Sequence, residues 1–304
     1  MPGFRRSRTD LTVYRIHNTE CVTFDKLKKH ALQPIDNLKT EDFSRGWTNL
    51  DDMLDTSWAT SVPEKGEWLC FCYRQDKRII PGAVLKKLYA EALKEERSAA
   101  TAEQKIVSRK RKTELKELIR QRLLPTIQPA PTLVDVAMNM HSGLLLVGTS
   151  VKGVLAKFEE LMGTTFGVTP VRCEPGADVQ QILRTLFSEG LTAATGDWSF
   201  TMDDAGQVVL AGSVGADDVQ VVVKNDKASA AAGLESGLSI AKLKIHLQRN
   251  DGLVWTFKLS TDLTFSGFCA PATEASGHDD AALLEKLFLL EQGVEAVFAA
   301  FSVK

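Results

Sequence analysis

Apolar and polar residues alternate in many short segments of this chain, and an alternation with a period of two predicts β-strands. One pair of strands with a polar turn at Gln75–Asp76 is predicted within residues 67–80, and another pair lies within residues 132–150. The other predicted strands are residues 10–17, 198–203, 207–212, 218–224, 240–248 and 253–260. Antiparallel pairing is expected, because short connections join most neighbours.

Helical spacing of apolar residues, at three and four positions apart, predicts helices over residues 24–32, 150–163, 178–190 and 279–301. Gly163 is expected to end the second of these helices. Residues 40–65 have no regular period and are predicted to be irregular.

A different pattern occupies residues 82–124, which contain neither Pro nor Gly after Gly82. Two apolar stripes at helical spacing flank KEERSAATAEQK, a stretch almost without large apolar side chains. A segment that is polar all round cannot be buried in a core, so it should project into solvent. We predict two helices, or one long interrupted helix, that form a charged arm ending at Pro125.

Alternating strands and helices of this kind predict an α+β fold with largely antiparallel sheets and a projecting charged helical arm. We treat residues 1–304 as a single chain with three subregions. These are an N-terminal α/β part at residues 1–81, the basic helical arm at 82–131 and a C-terminal α+β part at 132–304.

Composition limits the classes of function. The chain has 304 residues and a formal net charge of -2, and no apolar run is long enough to span a membrane. The N-terminal residues lack the apolar segment of a signal peptide, so we expect a cytoplasmic protein without a membrane partner. Five scattered cysteines show no metal-ligand spacing, and we expect free thiols and no cofactor.

Charge is unevenly distributed along the chain. Residues 1–130 contain 25 Lys and Arg against 18 Asp and Glu, whereas residues 131–304 contain 12 against 21. Within the arm, a basic cluster has few compensating carboxylates: Lys105, Arg109, Lys110, Arg111, Lys112, Lys116, Arg120 and Arg122. A second basic set, Arg74, Lys77 and Arg78, lies on the predicted hairpin just before it.

Such clusters often form only a solvated helix face. Here the poor i,i+4 compensation destabilises the isolated helix, which favours a functional interpretation. Lys and Arg that neutralise phosphates release counterions and bind nucleic acid without reading its sequence. No zinc-finger, helix-turn-helix or aromatic stacking pattern indicates base-specific recognition. An acidic protein partner for the arm is another interpretation.

Other candidate chemistry is weaker. Acidic pairs at residues 51–52, 203–204, 217–218 and 279–280 are the type of ligand that a two-metal nuclease uses, but most lie where Asp caps turns and helices. The segment GLLLVGTS has phosphate-loop spacing but carries Thr149 where the lysine should be. The five histidines are isolated, and we identify no catalytic residues.

The order of motifs resembles that of the bacterial recombination-associated RdgC family. The segments that carry the resemblance are RQDKRIIPGAVLKKLYAEAL, LKELIRQRLLP and GTSVKGVLAKFEELMGTTFGVTPV, together with Gly46–Trp47. The resemblance is strongest over residues 66–172 and continues more weakly through VVVKNDK and GLESGLSIAKLKIHL.

This resemblance implies a non-catalytic DNA-binding protein that forms a ring-shaped homodimer. Duplex DNA, and also single strands, would pass through a positively lined hole without sequence specificity. The protein would limit the action of the recombinase filament at the nucleoid. By position, Arg74 and Arg78 match basic residues of the family's strand before the I-L-P motif, and Lys112 and Lys116 match lysines of the following helix. Lys224 matches a lysine of the family's K-x-Q-D-L segment.

Two departures from the family pattern stand out. The loop after L-L-P is TIQPAP, with neither the Phe nor the Arg of the family loop that is implicated in closing the dimer gate. Asn225 stands where Gln is usual. Some relatives carry an exonuclease label, so a metal-dependent DNA exonuclease is the alternative function.

Overall fold

The computed structural model describes residues 3–35, 43–99, 107–176, 178–192, 197–202, 206–214, 217–273 and 280–303. In these residues the α-helices are α1 Phe24–Lys29, α2 Gly82–Ala99, α3 Arg109–Leu123, α4 Lys152–Phe166, α5 Val179–Ser188, α6 Lys227–Glu235 and α7 Asp280–Ala300. The strands are β1 Thr9–Arg15, β2 Phe43–Thr48, β3 Glu64–Lys65, β4 Trp68–Lys77, β5 Ala130–Asn139, β6 Leu144–Val147, β7 Val171–Arg172, β8 Leu191–Thr192, β9 Trp198–Met202, β10 Gln207–Val214, β11 Asp217–Lys224, β12 Ser239–Arg249, β13 Val254–Ser260 and β14 Phe265–Cys269.

Ten of the described strands form one continuous, antiparallel path in the order β11-β10-β12-β13-β14-β1-β6-β5-β4-β2, and the short strands β3, β7, β8 and β9 pair beside it. Strand β1 joins its two halves. Its first residues, Thr9 and Leu11, pair with β14, and residues from Thr12 to Arg15 pair with β6. The predicted α+β class with antiparallel sheets is therefore confirmed.

Two hydrophobic cores lie on opposite faces of this arrangement. In β1, Leu11 and Val13 point into the core that α5 and α7 cover, whereas Tyr14 points into the core that α4 covers. Strand β6 is buried on both faces in the same way. A strand with two buried faces is apolar throughout, which explains the unbroken LLLV of the sequence.

Strand β4 corrects one sequence prediction. The expected turn at Gln75–Asp76 does not form, and a single ten-residue strand runs through both positions. β2 and β5 flank this strand on either side and hydrogen-bond with it along its length. The charge of the buried Asp76 is satisfied by the guanidinium of Arg74, with nitrogen–oxygen distances of 2.7 Å. Hydrogen bonding to two neighbouring strands therefore outweighs the turn-forming preference of Gln75 and Asp76.

The region predicted to be irregular, residues 40–65, contains β2 and β3. Trp47 of β2 is fully buried, contacts the rings of Phe71 and Phe158, and donates from Nε1 to Thr165 Oγ1 at 2.9 Å. Long-range packing rather than alternation creates this strand. Helix α4 also extends past the predicted stop and ends at Gly167, whose φ of 72° is left-handed.

All five cysteines are free, as expected, and burial raises the pKa of the Cys70 and Cys72 thiols to about 12. Among the described residues, no helix combines the length and the apolarity needed to cross a membrane.

Candidate nucleic-acid interface

Helices α2 and α3 form an antiparallel hairpin, which is the predicted arm. Arg111 near the start of α3 bonds Glu96 near the end of α2. Further along, Lys116 Nζ lies 4.9 Å from the ring centre of Tyr89, nearer the start of α2. The two helices therefore run in opposite directions, and both ends of the arm return to the sheet where Lys77 of β4 pairs with Ala130 of β5.

The arm stands apart from both hydrophobic cores. No residue of α2 or α3 belongs to either core cluster, and Leu115 is the buried residue of the two helices as far as they are described. Leu118 stays 55% exposed. Residues 100–106 of the predicted arm lie outside the described residues, and the described parts of its two helices expose most of their surface.

Charge on the arm is strongly positive. The two helices carry eleven Lys and Arg and five Glu. On α3, Arg109, Lys112, Lys116 and Arg120 follow one another at intervals of three or four residues, which places them along one side of the helix. Glu114 is paired with Arg111, and Arg109 and Lys112 of this stripe form no ion pair within the described residues.

Positive side chains are concentrated in the first turn of α3, where the positive end of the helix dipole repels them. The N-cap is Ser108, whose side chain accepts from the backbone N–H of Arg111 at 3.2 Å. Arg109 and Lys110 follow immediately, and the first turn contains no acidic residue. Cations at a helix N-terminus are disfavoured by the helix dipole. An anion bound near this turn would relieve that repulsion.

The predicted arm residues differ in their availability. Arg109, Lys110 and Lys112 form no ion pair within the described part of the chain, and the first two are exposed. Arg111 is held by Glu96 and by Glu114, the latter at 3.3 Å. Lys116 is exposed and lies over Tyr89. Lys105 lies outside the described residues.

The three basic residues of the predicted hairpin, Arg74, Lys77 and Arg78, do not share one exposed surface. Arg74 is bound to Asp76 and donates to the carbonyl oxygen of Met53 at 2.8 Å, and Arg78 is buried. Lys77 is exposed at the root of the arm. Side chains alternate along the single strand, and burial and ion pairing remove the two arginines from the surface that the arm presents.

Lys224 is exposed, but it lies at the end of β11 on the opposite edge of the sheet from β4. Eight strand spacings separate these strands, on the order of 40 Å along the sheet. Lys224 therefore belongs to a different part of the sheet from the strands that carry the arm.

A separate cavity of about 670 Å³ gathers residues that are far apart in sequence. Asp51, Asp135 and Asp280 line it together with Lys65 and Arg5. Lys65 Nζ lies 2.6 Å from Asp280 and 3.1 Å from Asp51, and Arg5 lies 2.6 Å from Asp51. The sequence pattern does not bring these residues together, because none of their contacts is local.

The carboxylates of this cavity are bound to protein donors. Burial alone would raise the pKa of Asp51, but hydrogen bonds from Ser61, Arg5 and Lys65 lower it to about 2. Burial raises the pKa of Asp135 to about 6, and one of its oxygens accepts from the Phe4 N–H at 2.9 Å. Within the described ranges, no three Asp, Glu, His or Cys residues are grouped so that they could hold a metal ion.

Of the acidic pairs that were considered for a nuclease, Asp51 and Asp280 meet in this cavity, where both are bound to Lys65. Asp52 caps a turn through the Leu54 N–H, Asp203, Asp204 and Asp279 lie outside the described residues, and Asp218 accepts from Ser213. The phosphate-loop segment is mostly the strand β6, which leaves no loop between the two glycines.

Comparison with known proteins identifies the family. A family model described as "Putative exonuclease, RdgC" matches residues 9–253, most of the chain and more than the stretch over which the resemblance was noted. No curated protein matches the sequence. In general terms, the match supports a recombination-associated function. The chain therefore belongs to the RdgC family.

Proposed function

We propose that this chain binds DNA without sequence specificity and acts in recombination or replication by holding duplex DNA through its phosphates. The observation that carries the proposal is the α2–α3 arm, with eleven cations against five glutamates and three basic residues at the start of α3 that form no ion pair within the described residues. Clustered cations without partners repel one another. A polyanion is the ligand that removes this repulsion.

The binding mode follows from the residue types. Lys and Arg on an exposed helix contact phosphates, which are the same in every sequence. The free energy of binding comes largely from counterion release, so affinity should fall steeply with salt. We assign the contacts to Arg109, Lys110, Lys112, Lys116 and Lys77. The ion-paired Arg74 and the buried Arg78 are not included.

We further propose a homodimer that closes around DNA as a ring, in which Lys224 of one edge and the arm contribute to one positively charged opening. The outer edge of β11 supports this, because β10 is its sole strand neighbour in the described structure and Val221 and Val222 remain 38% and 51% exposed. An apolar, unpaired strand edge favours pairing with another chain. DNA enclosed in this way, at the nucleoid, would obstruct a recombinase filament.

A metal-dependent exonuclease is the alternative function, and the description of the family names exonuclease activity. It requires grouped carboxylates to bind the metal ions. The aspartates of the aspartate-lined cavity are bound to Lys65, Arg5 and the backbone of Phe4, which favours a structural role for them.

The test is fluorescence anisotropy of a labelled duplex of arbitrary sequence, titrated with the protein at several salt concentrations without metal. We expect binding that weakens as salt rises. The triple variant Arg109→Ala, Lys110→Ala and Lys112→Ala should bind at least about tenfold more weakly at low salt. The log–log salt slope should decrease by about 0.9 for each phosphate that the variant no longer neutralises.

The matched control removes three exposed cations from other elements: Lys29→Ala, Lys152→Ala and Arg184→Ala. It changes the net charge equally, so unchanged affinity there would assign the effect to the arm. Equal decreases of affinity in both triple variants would indicate only a general charge effect and would refute the arm as the interface. Shortening of the duplex when Mg²⁺ is added would support the exonuclease alternative instead.

A further inference from the structure

A second cavity, of about 360 Å³, lies between the N-terminal segment, the chain after β14 and the beginning of α7. Arg5 and Arg6 line both this cavity and the aspartate-lined cavity, but the three aspartates of that cavity do not line this one. Its cationic lining residues are Arg5, Arg6 and Lys286, and none of the described residues that line it is Asp or Glu. The rest of the lining is mostly small or apolar, with Ala270 and Pro271 among it.

Lys286 is the unusual residue of this cavity. It lies on the face of α7 that packs into the core, next to Leu283 and Leu287, and only 9% of it is exposed. Its Nζ donates to the carbonyl oxygen of Ser7 at 3.4 Å, which is long for a hydrogen bond. No carboxylate pairs with it in the described part of the chain.

A buried ammonium group of this kind is expected to be paired, because burying a charge without a partner is costly. The other buried lysine, Lys65, follows that rule and is bound to two aspartates. Burial accordingly lowers the pKa of Lys286. Cys269 also lines the cavity, and the arginines of the cavity are further cations.

We propose that this cavity binds a small phosphomonoester, with the phosphate between Lys286 and Arg6 and the remainder of the ligand against the apolar wall. Arg5 is already bound to Asp51, whereas Arg6 is exposed at the rim. Two cations match a dianion, and the volume exceeds that of inorganic phosphate alone. This site is separate from the arm and does not depend on the proposed DNA-binding function.

The experiment is isothermal titration calorimetry of the full chain at low salt with inorganic phosphate, with adenosine monophosphate and with adenosine as the uncharged control. We expect saturable binding of the two phosphate compounds at a dissociation constant below about 1 mM and no binding of adenosine. Tighter binding of the monophosphate than of phosphate would identify an organic phosphate as the ligand. The reverse order would identify the free ion.

Lys286→Met keeps the length and burial of the side chain but removes its charge, and should weaken binding at least about tenfold. Lys242→Met is the matched control. Lys242 is half-buried, donates to Ser266 at 3.0 Å and does not line this cavity, so affinity should not change. If Lys286→Met fails to fold, Arg6→Gln at the exposed rim gives the same test. No binding by the unmodified chain, or equal affinity in the charge-removing variants, would refute the site.

Discussion

Gly46 shows how one residue can determine a strand that the sequence pattern does not reveal. A Cβ atom at this position would lie 2.4 Å from the Cα of Leu32, so the backbones of β2 and of the segment after α1 approach too closely for any side chain. The next residue, Trp47, can then enter the core beneath α4. The glycine is needed for space rather than for an unusual backbone angle.

We predict that Gly46→Ala lowers the free energy of unfolding by about 2–4 kcal/mol, because backbone atoms must shift. Urea denaturation measures this. Gly163→Ala is the control, because nothing lies within 4 Å of the added methyl group and Gly163 is interior to α4. That variant should gain about 0.5–1 kcal/mol. Similar decreases of stability in the two variants would contradict the steric argument.

Asp135 makes stability depend on pH. Removal of its carboxyl from water raises the pKa to about 6, so the folded chain holds this proton more tightly than the unfolded chain, whose pKa is about 3.9. The contribution of this group to stability therefore falls as the pH rises from about 4 to about 7. Below that window both states are protonated and the contribution is constant.

Asp135→Asn removes the charge and keeps an oxygen that can accept from Phe4. We expect a free energy of unfolding that is higher than that of the unmodified chain by about 1–3 kcal/mol at pH 8, with a smaller difference at pH 5. Urea denaturation at both pH values checks this. Asp51→Asn should instead lower the free energy of unfolding at pH 8, because Arg5 and Lys65 would lose a charged partner. A difference for Asp135→Asn that does not change with pH would refute the assignment.

At the scale of elements, the arm is separable from the rest of the fold. Both ends of the arm meet at the β4–β5 pair, and its helices contribute no side chain to either core cluster. Its helical character was predictable, because a long stretch without Gly or Pro and with helical apolar stripes leaves few alternatives. The division into two helices, rather than one interrupted helix, was left open by the sequence. The cations that stay available were not predictable, because ion pairs such as Arg111 with Glu96 join residues of different helices.

We predict that a chain in which a short Gly-Ser linker replaces residues 82–123 folds normally. Its midpoint of thermal unfolding should stay within about 4 °C of that of the full chain, because loss of the two helices removes little buried apolar surface. Its affinity for duplex DNA should fall at least as far as that of the triple alanine variant. Calorimetry and anisotropy measure the two quantities. Loss of cooperative unfolding would show that the arm has a structural role instead.

At the scale of the whole molecule, the sheet has two ends, and β11 lies at one of them. If the proposed dimer forms through this edge, a charged side chain there should oppose it, as lysines do on natural edge strands. We predict that Val222→Lys weakens self-association at least about tenfold in sedimentation equilibrium. Val171→Lys, an exposed valine on β7, should have no effect. An unchanged dimer in Val222→Lys would assign association to another surface.

The sequence by itself determined the α+β class, most strands and helices, the arm and its excess of positive charge. These properties depend on local periodicity, on the absence of Gly and Pro and on residue counts, which need no knowledge of distant contacts. Family membership followed from the order of motifs, and the match over residues 9–253 bears it out.

Only the tertiary structure decided which charges are available and which are satisfied. Arg74 was placed at a DNA interface by its position along the chain, yet an ion pair with Asp76 holds it at the sheet. Lys65 and Asp280 are 215 residues apart and form an ion pair, whereas Lys286 is buried without one in the described structure. Burial and pairing of charge depend on how distant strands and helices pack, and sequence spacing carries no record of that packing.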